Sequence, residues 1–140
     1  MASPIEATML LADAAVADPT GKIHMLGAGW SVTSSPTAPS AVAVFFRIPW
    51  DRTNKKIPTT LELRDADGQP VLIGGSQTIR IEQEVEVGRP AGLNPGTPID
   101  ASFQVTVGPL PLSPGRYEWH LTAAEGEWSI GFTVRANQSG

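Results

Sequence analysis

Residues 21–32 read GKIHMLGAGWSV, an apolar, glycine-rich run closing on a tryptophan and a valine. The segment before it, Met9 to Ala17, is also apolar, and Asp18-Pro19-Thr20-Gly21 joins the two. Asp and Pro early in a four-residue reversal, with Gly at its end, are the residues a tight turn demands. The pair therefore reads as a long β-hairpin. Ile23 and Met25 fall on one face of its second arm; His24, Leu26, Trp30 and Val32 fall on the other. Both faces are largely apolar, which predicts a hairpin buried at the centre of an all-β domain. Gly27 and Gly29 fit a bulge, or a large ring lying over bare backbone. The alanines at 12, 14, 15 and 17 would suit a helix over residues 5–17, but the short turn favours a strand.

Outward from this hairpin the chain keeps a period of two. After the loop Ser34 to Ser40, residues Val42, Val44, Phe46, Ile48 and Trp50 alternate on one face, with Arg47 on the other. Pro49 has no amide hydrogen and should end the ladder. Asp51 to Lys56 is a polar turn. Leu61 and Leu63 point inward, with Thr60, Glu62 and Arg64 outward; Asp65-Ala66-Asp67-Gly68 then turns the chain. Val71 to Ile73 is a short strand. From Gln77 to Val87, Ile79, Ile81, Val85 and Val87 oppose Arg80, Glu82, Glu84 and Glu86 across the strand. Carboxylates in such a row must meet water, because burying them is prohibitive. Arg89 to Asp100, rich in Pro and Gly, crosses between sheets. Phe103, Val105 and Val107 mark the next strand; Gly108 to Gly115 is a stiff connection. Tyr117, Trp119 and Leu121 oppose Glu118 and His120. Glu125-Gly126 turns, and Trp128, Ile130, Phe132 and Val134 line a final strand.

A chain of 140 residues suits one domain, expected over residues 1–136 with 137–140 as a flexible tail. It has no cysteine, so disulfides and thiolate metal sites are excluded. Its net charge of −4 argues against nucleic acid and anionic membrane as partners. Met1 to Leu11 lacks the basic start and unbroken apolar core of a secretory signal, and no run is long enough to span a membrane. The expected location is cytoplasmic. The predicted fold is a two-sheet antiparallel β-sandwich of about eight strands, immunoglobulin-like or Greek-key.

Two stretches, LLADAAVADPTGKIHMLGAGWS (10–31) and FFRIPWDRTNKKIPTTLELRDADGQPV (45–71), resemble an uncharacterised bacterial family of small all-β domains. The similarity covers mainly the first half of the chain, and its strongest element is Leu26-Gly27-Ala28-Gly29-Trp30. The resemblance implies no activity and no catalytic residue. Pro114-Gly115-Arg116-Tyr117 is similar to the entry into a late strand of many immunoglobulin-like modules, which bears on fold alone.

Chemistry is sparse. His24 and His120 are the only histidines, neither beside a nucleophile elbow. His24 reads as a hydrogen-bonded structural residue and His120 as a solvated one. Asp51, Asp65 and Asp67 are loop carboxylates of the kind calcium sandwiches gather, yet Asp65 and Asp67 also suit a plain turn, and Lys55 and Lys56 would repel a cation. Glu82, Glu84 and Glu86 could meet a basic partner or simply solvate a strand face. Gly27-x-Gly29 opens no helix, so a dinucleotide site is excluded. Trp30, Trp50, Trp119 and Trp128 could stack on sugars or fill a partner's pocket, but Trp119 and Trp128 alternate with other apolar residues and read as core. Trp50 follows Pro49 at a strand end and stands beside Arg52, and these two residue types dominate interface hot spots. Trp50 and Arg52 are thus the candidate partner-binding residues, with no catalytic, cofactor or metal residue assigned. The sequence predicts a non-enzymatic protein–protein interaction or assembly module, with a second copy as the simplest cover for apolar surface. The alternative is a carbohydrate- or calcium-binding sandwich; a hydrolase ranks last.

Overall fold

The computed structural model describes residues 4–136. The strands run β1 (Glu6–Ala12), β2 (Ala14–Ala17), β3 (Ile23–Leu26), β4 (Val32–Thr33), β5 (Ser40–Ile48), β6 (Ile57–Asp65), β7 (Leu72–Ile73), β8 (Gln77–Thr78), β9 (Arg80–Val85), β10 (Ile99–Val107), β11 (Gly115–Ala123) and β12 (Gly126–Val134). Two sheets form a sandwich. One has three strands in the order β1-β5-β10; the other has five, β4-β12-β11-β6-β9. Two short hairpins, β2-β3 and β7-β8, stand apart. The chain is all-β, as the alternation requires. Among the described residues every strand pairing is antiparallel except that of β4 with β12, a two-residue parallel contact, which departs from the wholly antiparallel expectation.

The interior is built from the alternating sets. Val42, Val44 and Ile48 of β5 face Leu61 and Leu63 of β6 and Trp119 and Leu121 of β11, all essentially sealed from solvent. Each such side chain contributes about 1.5–3 kcal/mol by leaving water. Aromatic rings cross the gap: Phe46 meets Trp128 edge-on at 6.4 Å between centroids. Residues 86–98 carry the chain from β9 in one sheet to β10 in the other, as the Pro- and Gly-rich composition suggests.

The opening hairpin is where the structure departs most from the alternation rule. Met9 to Ala17 is not one strand, because Asp13 divides it. β1 pairs with β5, Leu11 opposite Val42, rather than with residues 23–32. Only Ala14–Ala17 and Ile23–Leu26 pair with each other. That small hairpin is not central. It lies against the outer face of the three-stranded sheet, mainly beside β10 and also against β5, and the Ser102 hydroxyl donates to the Gly21 carbonyl at its tip. One face, with Ala15 and Met25, is half-covered; the other leaves Val16 59% and Leu26 73% exposed. Apolarity on both faces predicts cover on both sides, and the fold supplies one. His24 accordingly sits in solvent, although its Nε2 lies 2.8 Å from the Asp18 carboxylate.

The GAGW segment then closes the sandwich. The Gly29 N–H donates to the Leu11 carbonyl at 2.7 Å, and the Trp30 indole N–H to the Ala12 carbonyl at 3.0 Å. The Trp30 ring packs edge-on against Phe132 at 5.5 Å. Gly27 has φ +64°, and a Cβ there would collide with the Asp13 carboxylate. A glycine is therefore required for the close crossing from β1 to β12.

Three further corrections follow. Glu62 faces outward as expected but is only 5% exposed, covered rather than in water. It stands on β6, one strand in from the edge of the five-stranded sheet, between His120 and Arg80, and the side chains of Arg64 and Arg80 close over it. The strand expected from Gln77 to Val87 is interrupted at Ile79 into β8 and β9. Trp50 belongs not to β5 but to a 3-10 turn, Trp50–Arg52. The expected tail at 137–140 lies outside the described residues.

Candidate functional site

β5 stops at Ile48 because Pro49 cannot continue the ladder. The chain then turns tightly: the Arg52 N–H donates to the Pro49 carbonyl at 2.9 Å, and the Thr53 hydroxyl to the Trp50 carbonyl at 2.7 Å. Asn54 takes φ +59°, and its N–H donates to the Val87 carbonyl at 2.7 Å. That bond draws residues 87–89 alongside the turn. Arg89 arrives with its guanidinium carbon 4.1 Å from the centroid of the Trp50 ring. Its Nη2 donates to the Trp50 carbonyl at 2.8 Å and its Nε to the Thr53 hydroxyl oxygen at 2.6 Å. A cation on one ring face, anchored by two hydrogen bonds, fixes the indole.

Away from Arg89, Trp50 lines an open cleft of about 680 Å³. Pro4, Pro49, Gly96 and Pro98 give it rigid, apolar walls; Glu6, Arg47 and Asp51 give it charge. Arg47 is drawn toward Asp100 at 3.3 Å. Two carboxylates and one cation beside a half-buried indole suit a ligand with an apolar body and polar or basic edges. The volume lies within the range of small-molecule and peptide pockets.

The two residues singled out from sequence are separated here. Trp50 lines the cleft. Arg52 does not: its guanidinium is paired with Glu125 in the turn between β11 and β12. The cation on the indole is Arg89, which sequence reasoning missed. It lies 39 residues away in a loop without period, so no pattern could have linked the two. Arg47 and Glu6 were equally unmarked; both are ordinary outward positions of their strands.

The other candidates resolve individually. Asp65 is taken up by its own turn, accepting the N–H groups of Asp67 and Gln69 at 2.9 and 3.0 Å. Among the described residues no group of three or more His, Cys, Asp or Glu is placed to hold a metal ion. Asp65 and Asp67 border a separate cleft with Arg116 and Glu118. His120 is largely covered rather than solvated. Its strand neighbours are Ser129 and Glu62, residue types a hydrolase would use. Yet its Nε2 is buried without a hydrogen bond, 3.6 Å from Glu127, while Glu62 is held by Arg64 at 2.9 Å and Arg80 at 3.4 Å. The catalytic chain of nucleophile, base and orienting acid is not connected. Glu82 and Glu84 lie on β9, an edge strand. Trp119 is core at 2% exposed.

Comparison with known families places the chain in a family but adds no chemistry. The chain belongs to DUF6941, a family of unknown function. The match runs over residues 7–135, so the kinship extends through both sheets and not only the first half. It takes in Trp50, Arg52 and Arg89, while Pro4 and Glu6 at the rim of the cleft precede it. No curated protein matches the chain. Among the described residues no helix is long and apolar enough to cross a membrane.

Proposed function

We propose that the chain is a non-enzymatic, cytoplasmic protein–protein interaction module that receives a partner at the Trp50 cleft and also associates with itself. The observation that carries this reading is the indole held by Arg89 at the mouth of a proline-walled cleft. A rigid, half-buried tryptophan with its orientation fixed is what an interface anchor needs, because little side-chain entropy remains to be lost on binding. The disconnected surroundings of His120 support the non-enzymatic half.

The test compares capture by the wild type and by Trp50→Ala from an extract of the native host. The variant should lose its specific partner while keeping the wild-type far-ultraviolet spectrum. Undiminished capture of the same partner by Trp50→Ala would remove the cleft from the interface. A carbohydrate ligand is the second reading, favoured by an indole flanked by the carboxylates of Glu6 and Asp51. A thermal-shift screen with oligosaccharides distinguishes it, since a ligand of the native state raises the melting temperature by mass action. Stabilisation by a glycan, abolished by Trp50→Ala, would replace the protein partner with a sugar.

A further inference from the structure

Every open sheet presents edges, and this sandwich treats its edges unequally. β1 is clasped near its end by Gly29 and Trp30. β4 is only two residues long. β9 carries Arg80, Glu82 and Glu84, and any pairing of two copies centred on Gln83 would set Glu82 directly against Glu84. Like charges facing each other across a ladder oppose pairing. β10 has none of these devices, although the β2–β3 hairpin packs on its outer face. The strand is nine residues long, IDASFQVTV, with no Lys, Pro or Gly and a single charge at Asp100. It pairs with β5 alone, and among the described residues no strand covers its other edge. Its nine residues leave an unpaired row of backbone donors and acceptors, a template for one more strand.

We infer that the β10 edge pairs with the β10 of a second copy, joining two three-stranded sheets into one continuous six-stranded sheet. The occupant follows from the sequence of β10 itself. Antiparallel pairing about Phe103 sets Phe103 against its counterpart and Ala101 against Val105 on the inner face. On the outer face it sets Ser102 against Gln104 and Asp100 against Thr106. Apolar meets apolar, polar meets polar, and no like charges are opposed. A closed two-fold contact of this kind uses one patch twice. The inference rests on the self-association half of the reading above and names its surface; it is independent of the cleft.

Thr106 and Asp100 are both exposed, so position 106 tests the register with little risk to the fold. Sedimentation equilibrium over a concentration series should show a monomer–dimer equilibrium for the wild type. Thr106→Asp, which opposes two pairs of like charges per dimer, should raise the dissociation constant about three- to tenfold, and Thr106→Lys should lower it by about as much. Opposite shifts cannot arise from misfolding. Monomers at every concentration in all three proteins would overturn both the edge and self-association. A dimer whose constant ignores position 106 would overturn the edge alone.

Discussion

Glu62 shows how a polar residue can face outward and still be buried. It stands in β6 between β11 and β9, and two arginines from its own and the neighbouring strand lie over it. Its carboxylate is thereby removed from water but not from partners, which is the condition for tolerating such a group. Glu62→Gln retains the shape and discards the charge-assisted bonds. We expect a loss of about 1–2 kcal/mol in urea unfolding, less than for a fully enclosed pair because both arginines stay partly hydrated. Asp18 gives the converse case on the surface. The Thr20 hydroxyl foremost, then His24, and more weakly the N–H groups of Lys22 and Thr20, hold its carboxyl well below the usual carboxylate range. Its contribution is therefore complete well above the ordinary value of about 4 and is lost as pH falls through and below it. Stepped-pH unfolding should find the difference between wild type and Asp18→Asn constant from neutrality to about pH 5, and shrinking in more acidic buffer.

At the scale of elements, the β2–β3 hairpin is the instructive part. Four residues per strand are too few to form a layer, and the hairpin is tied to the sheet beneath it by one face only. Leu26→Lys on its outer face should change stability by no more than about 0.5 kcal/mol. Trp119→Ala in β11 should cost about 3–5 kcal/mol. Equal losses in chemical denaturation would mean that the hairpin is core after all. The long strands β5, β6, β10, β11 and β12 were legible because each keeps a period of two over nine residues. What periodicity cannot show is which strand pairs with which, nor that Asp13 would release β1 to β5. Likewise it marked the Trp50 corner, since Pro49 is a local stop, but not Arg89, whose approach depends on the Asn54 bond to Val87.

Across the whole molecule the ladders join distant segments: Ile48 lies opposite Ile99, and Thr60 opposite Thr122. Chain closure must precede most of the stabilising contacts, which slows folding. Stopped-flow refolding should accordingly take milliseconds to seconds, and a microsecond phase recovering the full signal would contradict the topology. That two sheets must form was readable from composition and alternation together. The parallel β4 contact was not, because two residues leave no pattern.

The chain carries four tryptophans, of which Trp119 is buried and the other three are half-buried. Trp119 is sheltered from a collisional quencher, whereas Trp50 stands at the mouth of an opening with a guanidinium against its ring. Trp50 thus serves as a built-in optical gauge. Any molecule entering there should protect part of the emission from acrylamide and displace its wavelength, and both responses should vanish in Trp50→Phe.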